Sequence, residues 1–106
     1  MHVPHPESLD DWRGRIDTLN AELVKLLNER ARCAEQIAAF KRRGGLPVFD
    51  AAREKAVLDR VSAHNAGPLS DEALHRIFNC IMEEHRLLQE ARQGQDKNIR
   101  PGDGLA

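Results

Sequence analysis

Two basic residues occupy positions on the apolar stripe of a predicted helix where leucine or isoleucine would be expected. Arg30 and Lys41 are eleven residues apart. At about 100° per residue they point within roughly 20° of the same direction, about 16 Å apart along the helix. A cationic side chain that faces a core without a partner is costly, so the pair predicts a site for an anion between them. The stripe comprises Leu9, Trp12, Ile16, Leu19, Leu23, Leu27, Arg30, Ala34, Ile37 and Lys41.

Polar residues also share faces on two further predicted helices. His85 and Gln89 lie four residues apart on the apolar stripe of the third helix. Asp50, Arg53 and Glu54 share one face at the start of the second helix. Three helices thus bring polar groups to one side, which predicts a binding site rich in hydrogen-bond donors and cations.

Each of these residues also has a simpler explanation. Lys41 could complement the helix dipole, and Arg30 could form a surface ion pair. Asp50 could be an ordinary N-cap, followed by solvated charges, and His85 could be a core histidine with a satisfied ring. The convergence from three helices favours the binding site over these separate explanations.

Several familiar chemistries have no residues to support them. His2 and His5 lie near the N-terminus and the other histidines are scattered, so no metal site is predicted. No serine or cysteine has a base placed to activate it. No glycine-rich phosphate-binding loop follows a strand, and the pair Gly44-Gly45 ends a helix. A site without a nucleophile or cofactor suits a small substrate with several negative charges, in a reaction assisted by positioning and electrostatics.

Three helices must position these side chains, and capping residues mark where each begins. Ser8 caps a first helix that ends at a glycine pair and covers residues 8–43. Asp50 caps a second helix that runs to about His64, and Ser70 caps a third. The inward residues predicted for the last two helices are Val57, Leu58, Val61, Leu74, Ile77, Phe78, Ile81, Met82, His85, Leu88 and Gln89.

These elements predict an all-α fold, a three-helix subunit with one very long N-terminal helix. Residues 8–92 form the helical domain. Residues 1–7 are predicted to be a flexible N-terminus, and residues 93–106, which lack periodicity, a disordered tail.

The length of the first helix predicts an intertwined homodimer. Its 36 residues would span about 54 Å, whereas a compact monomer of this size is roughly 33 Å across. The overhang would expose apolar residues that a second copy can cover. Arg13 lies seventeen residues before Arg30, about 100° around the helix and roughly 25 Å away. It cannot reach the same site within one subunit, but it could enter the partner's site.

The overall composition restricts the class of protein. Lysine and arginine number 16 against 17 acidic residues, a net charge of -1, which argues against a nucleic-acid or membrane-surface binder. No apolar run is long enough to span a membrane and no signal peptide is recognisable. Cys33 and Cys80 lie inside helical patterns and are predicted to be free thiols. A cytoplasmic location is therefore expected.

Five segments follow one another between about residue 8 and residue 91. They are Leu9-x3-Arg13-x2-Ile16-Asp17-x-Leu19, Leu26-Leu27-x-Glu29-Arg30, Ile37-x2-Phe40-Lys41, Pro47-Val48-x-Asp50-x2-Arg53-Glu54 and Ile77-Phe78-x2-Ile81-Met82-x6-Gln89. In this order and at these intervals, the segments resemble the all-helical AroQ class of chorismate mutases.

This resemblance implies an intertwined homodimer that rearranges chorismate to prephenate, on the route to phenylalanine and tyrosine. The reaction would be pericyclic, without cofactor, covalent intermediate or proton transfer. Arg30 and Arg13 of the partner subunit would hold the substrate's two carboxylates, since arginine pairs well with carboxylates. Lys41 and Gln89 would donate to the ether oxygen, where negative charge grows as the C–O bond breaks.

The resemblance also implies roles around the ring of the substrate. Glu54 and the backbone at Asp50 would meet the ring hydroxyl, and Arg53 would support these acids near a carboxylate. His85 is a departure, because relatives commonly carry a small hydroxyl residue at its position. It could donate in the same way or alter the pH response of the site.

Three other hypotheses compete with chorismate mutase activity. An isochorismate pyruvate-lyase resembles the family in fold, although the segment from Pro47 to Glu54 favours the mutase. A non-catalytic helical dimerisation or regulatory module is a second alternative. Nucleic-acid binding through Lys41-Arg42-Arg43 is a third, which the net charge disfavours.

Overall fold

The computed structural model describes residues 8–98, which form three helices. They are α1 (Leu9–Gly44), α2 (Ala51–His64) and α3 (Asp71–Asn98), and the described residues contain no strand. The prediction of an all-α chain of three helices with a very long first helix is therefore confirmed. Among the described helices, none has the length and apolar character that crossing a membrane requires.

The start of each helix is fixed by the capping residue that the sequence indicated. Ser8, Asp50 and Ser70 each accept, through a side-chain oxygen, a hydrogen bond of 3.0 Å from the backbone N–H three residues later. These bonds satisfy donors that the first turn of a helix leaves without an intrahelical partner. The local sequence therefore sets where α2 begins, and with it the position of Glu54.

The end of α1 is a Schellman motif built on Gly45. The N–H of Leu46 donates to the carbonyl of Lys41 at 2.8 Å, and the N–H of Gly45 donates to the carbonyl of Arg42 at 3.2 Å. Gly45 has a φ of 66°, in the left-handed region that favours glycine. This turn reverses the chain directly after Lys41 and brings the segment before α2 back toward that residue.

The third helix is longer than predicted. It continues to Asn98, so the predicted boundary at residue 92 is six residues too early. Arginine, lysine and glutamine are good helix formers, and the first residue that cannot continue a helix is Pro101. The predicted flexible N-terminus, residues 1–7, and the remainder of the predicted tail, residues 99–106, lie outside the described residues.

The chain divides between Arg30 and Ala31 into two units. In the first unit, the apolar side chains of the predicted stripe are all exposed, from 38% for Leu27 to 64% for Leu9. Val24 and Leu26, which are outside that stripe, are exposed as well.

In the second unit, α2 packs against α3, and the buried apolar residues are Ala34, Ala38 and Met82. Ala34, Ala38 and Lys41 follow one another in steps of four and three, so the inward face of this part of α1 is centred on the alanines. Ile37, also on the predicted stripe, lies about 60° around the helix from Ala34 and is 50% exposed in the single chain. Ile77 on α3 was predicted to face inward and is 46% exposed.

Four hydrogen bonds, one of Ser62 and three of Asn65, secure the connection between α2 and α3. Ser62 Oγ and His75 Nε2 share a hydrogen bond of 2.6 Å between the two helices. The side-chain amide of Asn65 donates to the carbonyl of Leu69 and to the carboxylate of Asp71, and its oxygen accepts from a backbone N–H in the turn. The start of α3 is thus held close to the end of α2.

We predict that Gly45→Ala destabilises the protein, because alanine would be strained at the positive φ of this position. The expected loss in the free energy of unfolding is about 1 kcal/mol. Gly14→Ala is the matched control: it lies within α1, where an added Cβ meets nothing within 4 Å, and should stabilise by up to about 1 kcal/mol. Urea denaturation at one protein concentration measures both, and equal stability of Gly45→Ala and the parent would contradict the assignment of the motif.

Candidate active site

Gln89 is a buried amide that joins α3 to α1. Its side chain is 7% exposed, and its Nε2 donates to the backbone carbonyl of Ala34 at 2.6 Å. Ala34 is small and itself buried, which lets a glutamine side chain reach the main chain of α1. Because a carbonyl can only accept, the contact fixes which end of the amide faces α1. The amide group has two N–H donors, so one remains for another acceptor.

Lys41 lies two helical turns beyond Ala34 on the same face of α1, about 10 Å further along the axis. Its side chain is half-buried, and Nζ donates to the backbone carbonyl of Val48 at 2.7 Å. The reversal at Gly45 makes this contact possible, since it returns the chain past the end of the helix. An ammonium group has three N–H donors, so Lys41 can keep this bond and still donate to an anionic ligand.

Glu54, in the first turn of α2, forms an ion pair with α3. Its Oε2 accepts from Nη1 of Arg86 at 2.8 Å, and the two side chains are 28% and 26% exposed. The guanidinium of Arg86 also lies over the ring of Phe49, 5.1 Å from its centroid. Arg86 was not among the predicted site residues.

Asp50 and Arg53 have local partners at the start of α2. The Asp50 carboxylate caps the helix by accepting from the backbone N–H of Arg53, so the simpler explanation of its side chain holds. The side chain of Arg53 is exposed. The contact with Glu54 that the structure shows comes instead from Arg86.

His85 lies on the buried face of α3, one turn before Gln89, and is 8% exposed. Met82, one turn earlier, is also buried. Sequence periodicity therefore identified correctly the two polar residues that are buried on this helix up to residue 92.

Four of the contacts described above link the three helices of the second unit, each contact leading to the next. Gln89 binds Ala34 on α1, Lys41 on the same face binds Val48, Phe49 lies under Arg86, and Arg86 is one turn from Gln89 on α3. Glu54 is linked to these residues by its ion pair with Arg86. Three predicted residues, Lys41, Glu54 and Gln89, are thereby brought into one region. This polar region is defined by Ala34, Lys41, Val48, Phe49, Glu54, His85, Arg86 and Gln89.

Arg13 and Arg30 belong to the other unit of the chain. Arg13 is exposed and Arg30 is half-buried. Their part in the site therefore remains a prediction from the sequence.

The polar region is equipped to bind an anion and to donate hydrogen bonds to it. Lys41 is satisfied by a neutral carbonyl, which uses one donor without neutralising the positive charge. Over residues 8–98, no three histidine, cysteine, aspartate or glutamate side chains are placed to share a metal ion. What the described residues offer is fixed donors and charge, which can stabilise a transition state electrostatically.

Residues 12–90 match the family model described as chorismate mutase type II. A bifunctional chorismate mutase/prephenate dehydratase from Neisseria gonorrhoeae is 45% identical over 78 residues, which cover 74% of this chain and 21% of that protein. The chain therefore spans about a fifth of the length of that relative.

Two solved structures are similar over nearly their whole length. Form II of the chorismate mutase from Thermus thermophilus has a TM-score of 0.77 and 33% identity, covering 79% of this chain and 96% of that one. The chorismate mutase from Helicobacter pylori, in complex with prephenate, has a TM-score of 0.76 and 29% identity, covering 87% of this chain and 97% of that one. The likeness thus extends over most of the helical part of the chain.

Proposed function

The chain belongs to the type II chorismate mutase family, and from this premise we propose that it catalyses the rearrangement of chorismate to prephenate. The structural observation that carries the proposal is the pair of oriented donors, Lys41 and Gln89, each held by a backbone carbonyl. The Helicobacter pylori relative was solved with prephenate, which supports prephenate as the product. The reaction serves the synthesis of phenylalanine and tyrosine.

The two donors act on the ether oxygen of the substrate. In the rearrangement one C–O bond breaks as one C–C bond forms within the same molecule, so no atom or proton is exchanged with the protein. Negative charge grows on the ether oxygen in the transition state. Lys41 and the second N–H of Gln89 stabilise that charge more than they stabilise the ground state, which is the requirement for acceleration.

Arginines hold the two carboxylates of the substrate. Arg30 binds one, and Arg13 of the partner subunit binds the other, with Arg53 nearby. Two clamped carboxylates favour the compact conformer in which the reacting carbons are close together. Planar guanidinium groups suit this task because they can form two parallel hydrogen bonds with a carboxylate.

The ring hydroxyl of the substrate is placed at the start of α2. Glu54 and the backbone at Asp50 contact it, and His85 lies close to the carboxylate on the ring. The buried position of His85 beside Gln89 on α3 supports this placement.

The protein acts as an intertwined homodimer in this proposal. The apolar stripe of α1 between Leu9 and Leu27 is exposed in the single chain, and a contiguous apolar surface of this kind is typical of an interface. A cytoplasmic location fits the two cysteines, Cys33 and Cys80, which are both exposed and unbonded.

The first test is turnover of chorismate. We expect the purified protein to consume chorismate, followed by its ultraviolet absorbance, with prephenate as the product. Arg30→Ala and Lys41→Ala should each raise the barrier by about 3–4 kcal/mol, a loss of at least a hundredfold in kcat/KM. Lys55→Ala, which removes an exposed ion pair on α2, is the control and should keep full activity. Near-normal turnover by either site variant would contradict the proposed roles, and release of pyruvate from isochorismate would favour the lyase.

The second test concerns the donor at position 89. The amide of Gln89 donates at any pH, so activity should be nearly constant across neutral pH. In Gln89→Glu only the protonated carboxyl can donate, and protonation is favoured as the pH falls. Its single O–H can reach the ether oxygen only by leaving the Ala34 carbonyl, so the recovery should be partial. We expect the activity of this variant to be low at pH 8 and to rise toward pH 5.

Gln89→Met is the matched control for that experiment, since it has a similar length and no donor. Its activity should stay low at every pH, and circular dichroism at both ends of the range shows whether the variants remain folded. Full activity of Gln89→Glu at pH 8 would exclude Gln89 as a necessary donor.

The third test concerns the dimer. Arg13→Ala and Arg30→Ala should both be nearly inactive alone. If each site takes one arginine from each subunit, a mixed dimer has one intact site and one doubly defective site. Equal mixing with subunit exchange should therefore restore about a quarter of the parental activity. A mixture as inactive as its components would contradict the shared site, and a folded monomer in sedimentation at micromolar concentration would contradict the dimer.

A further inference from the structure

The ion pair between Arg86 and Glu54 differs from the other ion pairs described on this chain. It joins α3 to α2 across 32 residues, and both side chains are about three-quarters buried. The Lys55–Asp59 pair lies within one turn of α2 with side chains 77% and 63% exposed. The Arg92–Glu35 pair joins α3 to α1, and its side chains are 55% and 28% exposed, so its arginine is about twice as exposed as Arg86. Arg86 therefore has a more restricted position than the other paired cations.

Arg86 is restricted by a second contact as well. Its guanidinium lies 5.1 Å from the centroid of the Phe49 ring, within the range of a cation–π interaction. Phe49 immediately precedes Asp50, the N-cap of α2. One guanidinium thus contacts the residue before the cap and the carboxylate in the first turn, on both sides of the point where α2 begins.

We propose that Arg86 is a positioning residue, which holds the Glu54 carboxylate where it can accept a hydrogen bond from the ring hydroxyl of the substrate. This inference rests on the proposed function. Oε2 of Glu54 accepts from Arg86, and a carboxylate has two oxygens with about four lone-pair directions between them. The ion pair therefore leaves acceptor capacity for the hydroxyl while it removes the rotational freedom of the glutamate.

A purely structural role predicts a different result from a positioning role. Loss of one partner from a largely buried ion pair lowers the thermal midpoint in either case. Only a positioning role also changes substrate binding, and only while Glu54 is present. The ring hydroxyl is present in the substrate and in the transition state alike, so its contact contributes to both equally. Loss of such a contact raises KM and leaves kcat nearly unchanged.

The test is a double-mutant cycle with kinetics and thermal unfolding. Arg86→Met, which keeps a long apolar side chain without the charge, is measured in the parent and in the Glu54→Ala background. In the parent we expect kcat/KM to fall about tenfold, the loss typical of a hydrogen bond to a charged group, and mainly through KM. In the Glu54→Ala background the same substitution should change kcat/KM by no more than about twofold, because its target is absent.

Two further variants make the comparison specific. Arg92→Met removes a paired arginine from the same helix and should keep kcat/KM within about twofold of the parent. Arg86→Lys retains the charge but not the planar group over Phe49, and should recover part of the loss. If Arg86→Met does not fold, Arg86→Gln takes its place in both backgrounds.

The outcomes separate this inference from the proposed function. An inactive parent overturns the proposed function, and this inference with it. If the parent is active, three results for Arg86→Met would overturn the inference and leave the proposed function intact. They are an unchanged KM, a change in the thermal midpoint alone, and an equally large effect on kcat/KM in the Glu54→Ala background.

Discussion

The hydrogen bond from the Gln89 side chain to the Ala34 carbonyl is the constraint on which the polar region depends. It joins α3 to α1 at a buried position, whereas the Arg92–Glu35 ion pair joins the same helices through a more exposed arginine. A buried amide without a partner costs about 1–3 kcal/mol, so the bond favours this spacing of the two helices. Ala34 and Ala38 have side chains small enough to permit it, and a leucine at either position would move the helices apart. The two alanines therefore allow the polar region to form, although neither has a functional side chain.

Both donors are oriented by main-chain carbonyls and not by other side chains. A carboxylate partner would have neutralised Lys41, whereas the carbonyl of Val48 satisfies one hydrogen bond and preserves the charge for an anionic ligand. The position of that carbonyl follows from the turn at Gly45, since the chain must reverse within a few residues of Lys41. The conformation of one glycine is thus linked to the orientation of a donor, and a change in the turn would alter the site without touching a site residue.

Local signals in the sequence predicted the parts of the structure that depend on local contacts. Ser8, Asp50 and Ser70 cap the helices as expected, because an N-cap acts on the backbone three residues away. Periodicity identified Gln89 and His85 as inward residues, since helical spacing defines a face.

Spacing does not reveal which residue of another helix a side chain will meet. The pair of Arg86 and Glu54 spans 32 residues and two helices, so neither segment contains a signal for it, and the partner of Arg86 depended on how α2 packs on α3.

The distribution of burial gives the strongest physical support for a second copy. Within residues 8–92 the buried apolar side chains are two alanines and Met82, while Trp12, Ile16 and Leu23 are more than half exposed. Ordering a residue costs about 1–2 kcal/mol of backbone entropy, and burial of large apolar side chains is the main term that offsets it. So small a set of buried side chains offsets little of that cost, whereas an exposed stripe of leucine, isoleucine and tryptophan offers the missing area. A dimer that buries the stripe would stabilise α1 and place Arg13 on a partner, so one interface would serve both stability and the site.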